Sequence, residues 1–88
     1  MVLHKLKTVQ PFFRDIWEGV KTFDVRFNDR NFQVGDRILL VEYGLNGYGD
    51  NAILCEVIYL FKGILMLKEG YVVLGISIID KVECWYGE

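Results

Sequence analysis

Eighty-eight residues make one domain, and a chain this short buries only about 60–70% of the surface its unfolded form exposes, so its core must be dense. At 52% hydrophobic and 15% aromatic the chain can fill that core, and at 25% charged it lies outside the disordered class. A net charge of −2 argues against tight, sequence-blind binding to duplex nucleic acid, which usually shows as a strongly basic domain.

Val2 to Thr8 alternates, with Leu3, Lys5 and Lys7 on one side and Val2, His4, Leu6 and Thr8 on the other, which predicts a short strand. His4 is the only histidine and reads as structural, having no second metal-ligand type beside it. Pro11 suits a first helical position, where its missing N–H would have had no partner. Phe13, Ile16, Trp17 and Val20 then follow i, i+3, i+4, i+7, one buried stripe on about two turns of helix. Gly19 supplies the left-handed residue that stops it.

Thr22 to Phe27 alternates strictly. Phe23, Val25 and Phe27 are expected to point into the core as part of a central strand, leaving Thr22, Asp24 and Arg26 on the opposite face. Asn28 to Gln33 is a polar loop anchored by Phe32, and Val34-Gly35-Asp36 is a turn, with Val34 counted among the core builders. Arg37 to Tyr43 is a further, well buried strand. Gly44 to Asp50, with three glycines, predicts a flexible hairpin link to a strand over Ala52 to Phe61. Lys62 to Gly70 is a loop or single helical turn including Leu65, Met66 and Leu67, and Glu69-Gly70 turns into the last long strand, Tyr71 to Ile79. Gly75 and Ser77 leave room there for close packing or a bend. Val82 to Tyr86 adds a short strand or an ordered tail.

Cys55 and Cys84 stand 29 residues apart with no CxxC pair. The spacing does not match a zinc site, and two cysteines cannot make the framework of a small secreted protein. Both read as reduced thiols, Cys55 in the core. The N-terminus has no apolar signal region, and Ile64 to Ile79 is too interrupted to span a membrane, so a cytoplasmic protein without cofactor or metal is expected. Charge is uneven: residues 1–37 hold seven Lys or Arg against five Asp or Glu, and 38–88 hold three against seven, making the halves +2 and −4. This is compatible with one mildly basic face.

Five or six strands at hairpin spacing with one N-terminal helix predict a mainly β (α+β) domain spanning 1–88, a small antiparallel or mixed barrel. Strands too hydrophobic for a one-sided sheet favour closure, which removes exposed edges.

Gly19, Lys21, Thr22, Asp24 and Arg26 resemble the G-x-K-T-x-E-x-R signature of ASCH domains (activating signal cointegrator homology), members of the PUA-like barrel superfamily. Phe32-Gln33-Val34-Gly35-Asp36, the run Leu67-Lys68-Glu69-Gly70-Tyr71-Val72-Val73-Leu74 and the opening His4-Lys5-Leu6-Lys7 are similar to a small ASCH-like branch of bacteria and phages. The likeness covers nearly the whole chain. It implies a PUA-like barrel with a cleft, lined by the lysine and the outward Thr, acidic and Arg residues, for RNA or a nucleotide-like ligand. Asp24 stands where most members have Glu, a carboxylate about one methylene shorter, so a contact made by Glu would need a water or a shifted partner.

Two functions follow. As a binding module, Lys21, Arg26 and Arg30 hold phosphate and Asp24 reads a base, with Thr22, Lys7 and Asn31 as further contacts and Tyr43, Tyr48, Tyr59 and Tyr71 as candidate stacking residues. As a small hydrolase, the chain would follow a related ASCH-like branch that acts on N4-acylated cytidines with the motif lysine and a threonine two positions before the arginine. Asp24 occupies that position, so the hydroxyl nucleophile is missing and Thr22 is the nearest hydroxyl on that face. No catalytic residue is assigned. Neither oligomeric state nor a protein partner is specified.

Overall fold

The computed structural model describes residues 2–63 and 66–85. The elements run β1 (Leu3–Val9), α1 (Phe12–Trp17), β2 (Phe23–Phe27), β3 (Arg37–Gly44), β4 (Gly47–Phe61) and β5 (Tyr71–Val82). The five strands form one mixed sheet in the order β1-β3-β4-β5-β2. β1 pairs with β3 in parallel, and every other pair is antiparallel. The domain is therefore mainly β, a sheet curled into a half-barrel with a single short helix.

The alternation read in β1 holds: His4, Leu6 and Thr8 are buried while Leu3, Lys5 and Lys7 face out. Leu6 joins Ile38 and Leu40 of β3, Ile53, Cys55 and Val57 of β4, and Val72, Leu74 and Ile76 of β5 in one core. Phe13 and Ile16 of α1 and Phe32 of the polar loop complete it. The β4–β5 ladder shifts register twice, once with Ile58 of β4 left over between Val57 and Tyr59 and once with Ile79 of β5 left over opposite Leu54/Cys55, and such irregularities bend the strands as a curled sheet requires. Gly75 lets Tyr59 cross it closely, since a Cβ there would lie 2.9 Å from Tyr59 Cβ.

Several expectations change. Val20 lies beyond α1 and is 77% exposed. Gly19, at φ +80°, turns the chain, and Asp15 O accepts from both Val20 N and Lys21 N to end the helix. The Gly44–Asp50 link is not a flexible loop. Gly44 pairs with Gly47, so the turn is only Leu45-Asn46 and the rest belongs to β4. Val34 is 62% exposed at the Gly35 turn and builds no core. Ile64, Leu65 and Tyr86 lie outside the described residues, whereas Met66 is exposed and Glu83–Trp85 form a turn after β5.

The largest correction concerns β2. It is an edge strand, bonded to β5 alone, and its faces are reversed. Phe23, Val25 and Phe27 are 46%, 46% and 55% exposed, while Asp24 is buried and Arg26 half-buried. Strict alternation makes two faces but does not say which one turns inward; the choice falls to whichever face finds partners. Here the interior supplies partners for the charges. The outer face supplies apolar rows, with Phe23 beside Gly75 and Tyr59, Val25 beside Val73 and Phe61, and Phe27 against Tyr71.

Candidate functional site

Two cations of the Lys21–Arg26 stretch meet around one buried carboxylate, Asp24. Lys21 Nζ donates to Phe23 O at 2.6 Å and stands 3.6 Å from Asp24 Oδ1. Arg26 Nε donates to Asp24 Oδ2 at 2.6 Å, and Arg26 Nη2 donates to both Lys7 O and Thr8 Oγ1 at 2.9 Å. A carboxylate out of water must be paired to be tolerated, and Asp24 has two cations to satisfy it. Arg26 also carries the link across the open side of the half-barrel, from β2 to β1.

The six residues expected to bind ligand do not converge on one cleft. Lys7, Arg26 and Arg30 line a cavity of ≈ 510 Å³ together with Lys5, Asp29, Tyr48 and the apolar walls Phe27 and Phe32. Asp24 faces a neighbouring hollow of ≈ 340 Å³ that shares Lys7 and Arg26. Lys21 and Thr22 lie on a third hollow, ≈ 360 Å³, among Ile16, Ile58, Ile76 and Ile78. Lys21 has its nitrogen tied to a carbonyl and a carboxylate, an arrangement suited to holding a strand rather than to attack on a substrate.

Around the first cavity the cations stand on aromatic rings. Lys5 Nζ is 4.5 Å from the Trp85 ring centroid and 5.6 Å from that of Tyr48. Lys7 Nζ is 4.5 Å from Tyr43 and 5.7 Å from Tyr48. Tyr43 and Tyr48 meet edge to face at 5.2 Å, and Tyr48 and Trp85 at 6.3 Å. Tyr59 and Tyr71 belong instead to the apolar outer rows, with Phe61 and Phe27. Lys5 and Trp85 were not among the expected site residues. Lys5 was legible from its place two residues before Lys7 on the outward face of β1. Trp85 was not, because its backbone N–H bond to Asp50 O is a tertiary contact that no spacing shows.

The remaining groups make contacts within the fold. His4 Nε2 donates to Asp36 Oδ2 at 2.9 Å and packs edge-on to Phe32. Asp36 also accepts from Val2 N and Gln33 N. Burial alone would raise the Asp36 carboxyl, but the bonds from His4, Gln33 and Val2 outweigh it and hold it below the ordinary 3.8. Asn31 adopts φ 52° and holds Gln33 through the loop. Both cysteines are free; burial, with the nearby Asp24 charge, pushes the Cys55 thiol up to about 12. Among the described residues no group of three or more His, Cys, Asp and Glu could hold a metal, and no helix is long and apolar enough to cross a membrane.

The family model described as a domain of unknown function, DUF3850, matches residues 3–76. The chain belongs to the DUF3850 family. No curated protein matches it. The matched span holds every residue named for the ≈ 510 Å³ cavity and leaves Trp85 outside. Among the described residues, the ion pairs of this DUF3850 domain are Lys21–Asp24 and Arg26–Asp24, beside the His4–Asp36 hydrogen bond. Lys5, Lys7 and Arg30 take part in none, so the cavity presents three cations outside any ion pair, with the Asp29 carboxylate on the same lining.

Proposed function

We propose that this DUF3850 domain is an ASCH-type module of the PUA-like superfamily that binds RNA or a nucleotide-like ligand in the ≈ 510 Å³ cavity. The observation that carries the reading is the set Lys5, Lys7 and Arg30, three cations without a paired carboxylate on one concave surface with aromatic walls. Phosphate recognition needs such donors, and aromatic rings beside them suit bases. The roles are redistributed relative to the sequence signature. Arg26 has two of its three nitrogens engaged, and Asp24 and Lys21 serve each other, so these three shape the wall while Lys5, Lys7 and Arg30 meet the ligand.

Fluorescence anisotropy with short labelled RNAs at low salt tests this. Binding is expected, falling as salt rises with a log–log slope of roughly 0.7 per phosphate contacted. The double variant Lys7→Ala with Arg30→Ala lowers both affinity and slope. An absence of binding at low salt, or binding indifferent to that variant, overturns the reading.

A further inference from the structure

We propose that the cavity reads a ribose, with Asp29 accepting a hydrogen bond from the 2′-hydroxyl of a nucleotide whose phosphate lies on Arg30, Lys5 and Lys7. The inference rests on the binding reading above and names which kind of nucleotide the site takes.

The loop from Asn28 to Gln33 carries it. Asn28 N donates to Gly70 O at 2.8 Å and Asp29 N to Phe27 O at 2.9 Å, which ties the loop to the end of β2 and to the turn before β5. Asn28 Oδ1 accepts from Phe32 N, Gln33 Nε2 donates to Asn31 Oδ1, and Gln33 N donates to Asp36 Oδ2. Phe32, 2% exposed, anchors the loop in the core against His4. The polar side chains Asn28, Asn31 and Gln33 are thus used within the loop itself. Asp29 and Arg30 differ: among the described residues neither side chain has a hydrogen bond or an ion pair, and both are exposed on the lining of the ≈ 510 Å³ cavity. A loop held this firmly presents its two remaining side chains in place, so a ligand meets them without first ordering the backbone.

A carboxylate is out of place in a site for phosphate alone. Asp29 repels an anion and offsets the field of its neighbour Arg30, so three cations and one carboxylate on the same concave wall suit a ligand with an anionic end and a hydrogen-bond donor close to it. Adjacent Cα atoms stand about 3.8 Å apart, which lets Asp29 and Arg30 reach a single nucleotide together. The donor that every ribonucleotide carries near its phosphate, whatever its base, is the 2′-hydroxyl. A carboxylate accepts from it in a charge-assisted hydrogen bond, and DNA has no such group.

Anisotropy is measured at low salt with labelled adenine hexamers as RNA, as DNA and as 2′-O-methyl RNA, the last keeping the ribose but not the donor. RNA is expected to bind about tenfold more tightly than either of the others, the effect of one hydrogen bond to a charged group. Asp29→Ala changes an exposed side chain and leaves the backbone bond of residue 29 in place. In that variant the preference for RNA is expected to vanish, RNA losing affinity while DNA holds or gains. The sign separates recognition from repulsion, since a carboxylate that only opposes phosphate gives an Asp29→Ala variant that binds RNA and DNA more tightly by the same factor. Competition with adenosine monophosphate and its 2′-deoxy form then locates the source: displacement by the ribonucleotide ahead of the deoxy form assigns a free nucleotide, and displacement by neither assigns a strand. The three hexamers bound alike, equal displacement by both monophosphates, or tighter RNA binding by Asp29→Ala overturns this inference and leaves the binding reading standing. No binding by any hexamer or monophosphate removes both.

Discussion

Arg26 Nη2 lies 2.9 Å from Lys7 O, joining the two edge strands of the sheet although they share no ladder. The half-barrel is thus closed on this side by a side chain. Because the same guanidinium pairs with buried Asp24, removing it opens the seam and strips a carboxylate at once. Arg26→Ala is expected to cost about 2–3 kcal/mol in urea unfolding, somewhat under the usual figure for a fully buried pair because Arg26 is part-exposed. Arg26→Lys recovers little, since one ammonium cannot serve Asp24 and β1 together. An unchanged midpoint for Arg26→Ala refutes the seam.

Asp24→Glu tests how closely the surroundings are fitted to the shorter carboxylate. Asp24 is 6% exposed between Lys21 and Arg26, so one more methylene must displace Arg26 from β1. A loss of about 1–3 kcal/mol is expected, the ordinary cost of overpacking. A stability gain in chemical denaturation contradicts it.

Acid lowers stability through Asp36. Its folded carboxyl titrates below the ordinary 3.8, so the unfolded chain takes up the proton first as pH falls. The contribution is complete well above 3.8 and is lost as pH drops through that value and on through the lower folded one. Unfolding free energies measured from pH 6 to pH 2 should fall less steeply for Asp36→Asn than for the parent. Parallel profiles refute the assignment.

The two thiols differ in reach. Cys84 is exposed, whereas Cys55 is fully buried with its thiol held near 12. Reaction with a disulfide reagent at pH 8 is expected to label one thiol in the folded domain and the second only in denaturant. Cys84→Ser then leaves a native protein that does not react. Two fast thiols in the native state contradict the fold around β4.

Much of the fold was legible because several patterns have only one physical solution. His4, Leu6 and Thr8 alternate against lysines that cannot be buried unpaired, and Gly19, Gly35 and Gly70 stop or turn the chain where a positive φ is needed. β2 was misread for a reason of the same kind. Phe23, Val25 and Phe27 looked like a core face, and nothing local reveals that the carbonyl of Lys7 and the hydroxyl of Thr8 stand ready to satisfy Arg26 on the other one. The site shows the same division. Lys7, Arg26 and Arg30 line one cavity, Lys21 and Thr22 lie on another hollow, and Trp85 depends on a tertiary contact that no spacing announces.

The order of strands also sets a timetable for folding. Leu3 pairs with Arg37 and Phe23 with Gly75, so both edge strands are made early in the chain and find their partners late, whereas β3, β4 and β5 follow one another as a meander. Such non-local pairing places folding toward the slow end for a domain this small, on the order of milliseconds to seconds. The meander is the part that can assemble from neighbours, and β1 and β2 are expected to dock onto it afterwards. Arg26 reaches Lys7 only when both have docked, so the guanidinium that closes the seam is a reporter of the last event: mutations there should speed unfolding while leaving the refolding rate almost untouched.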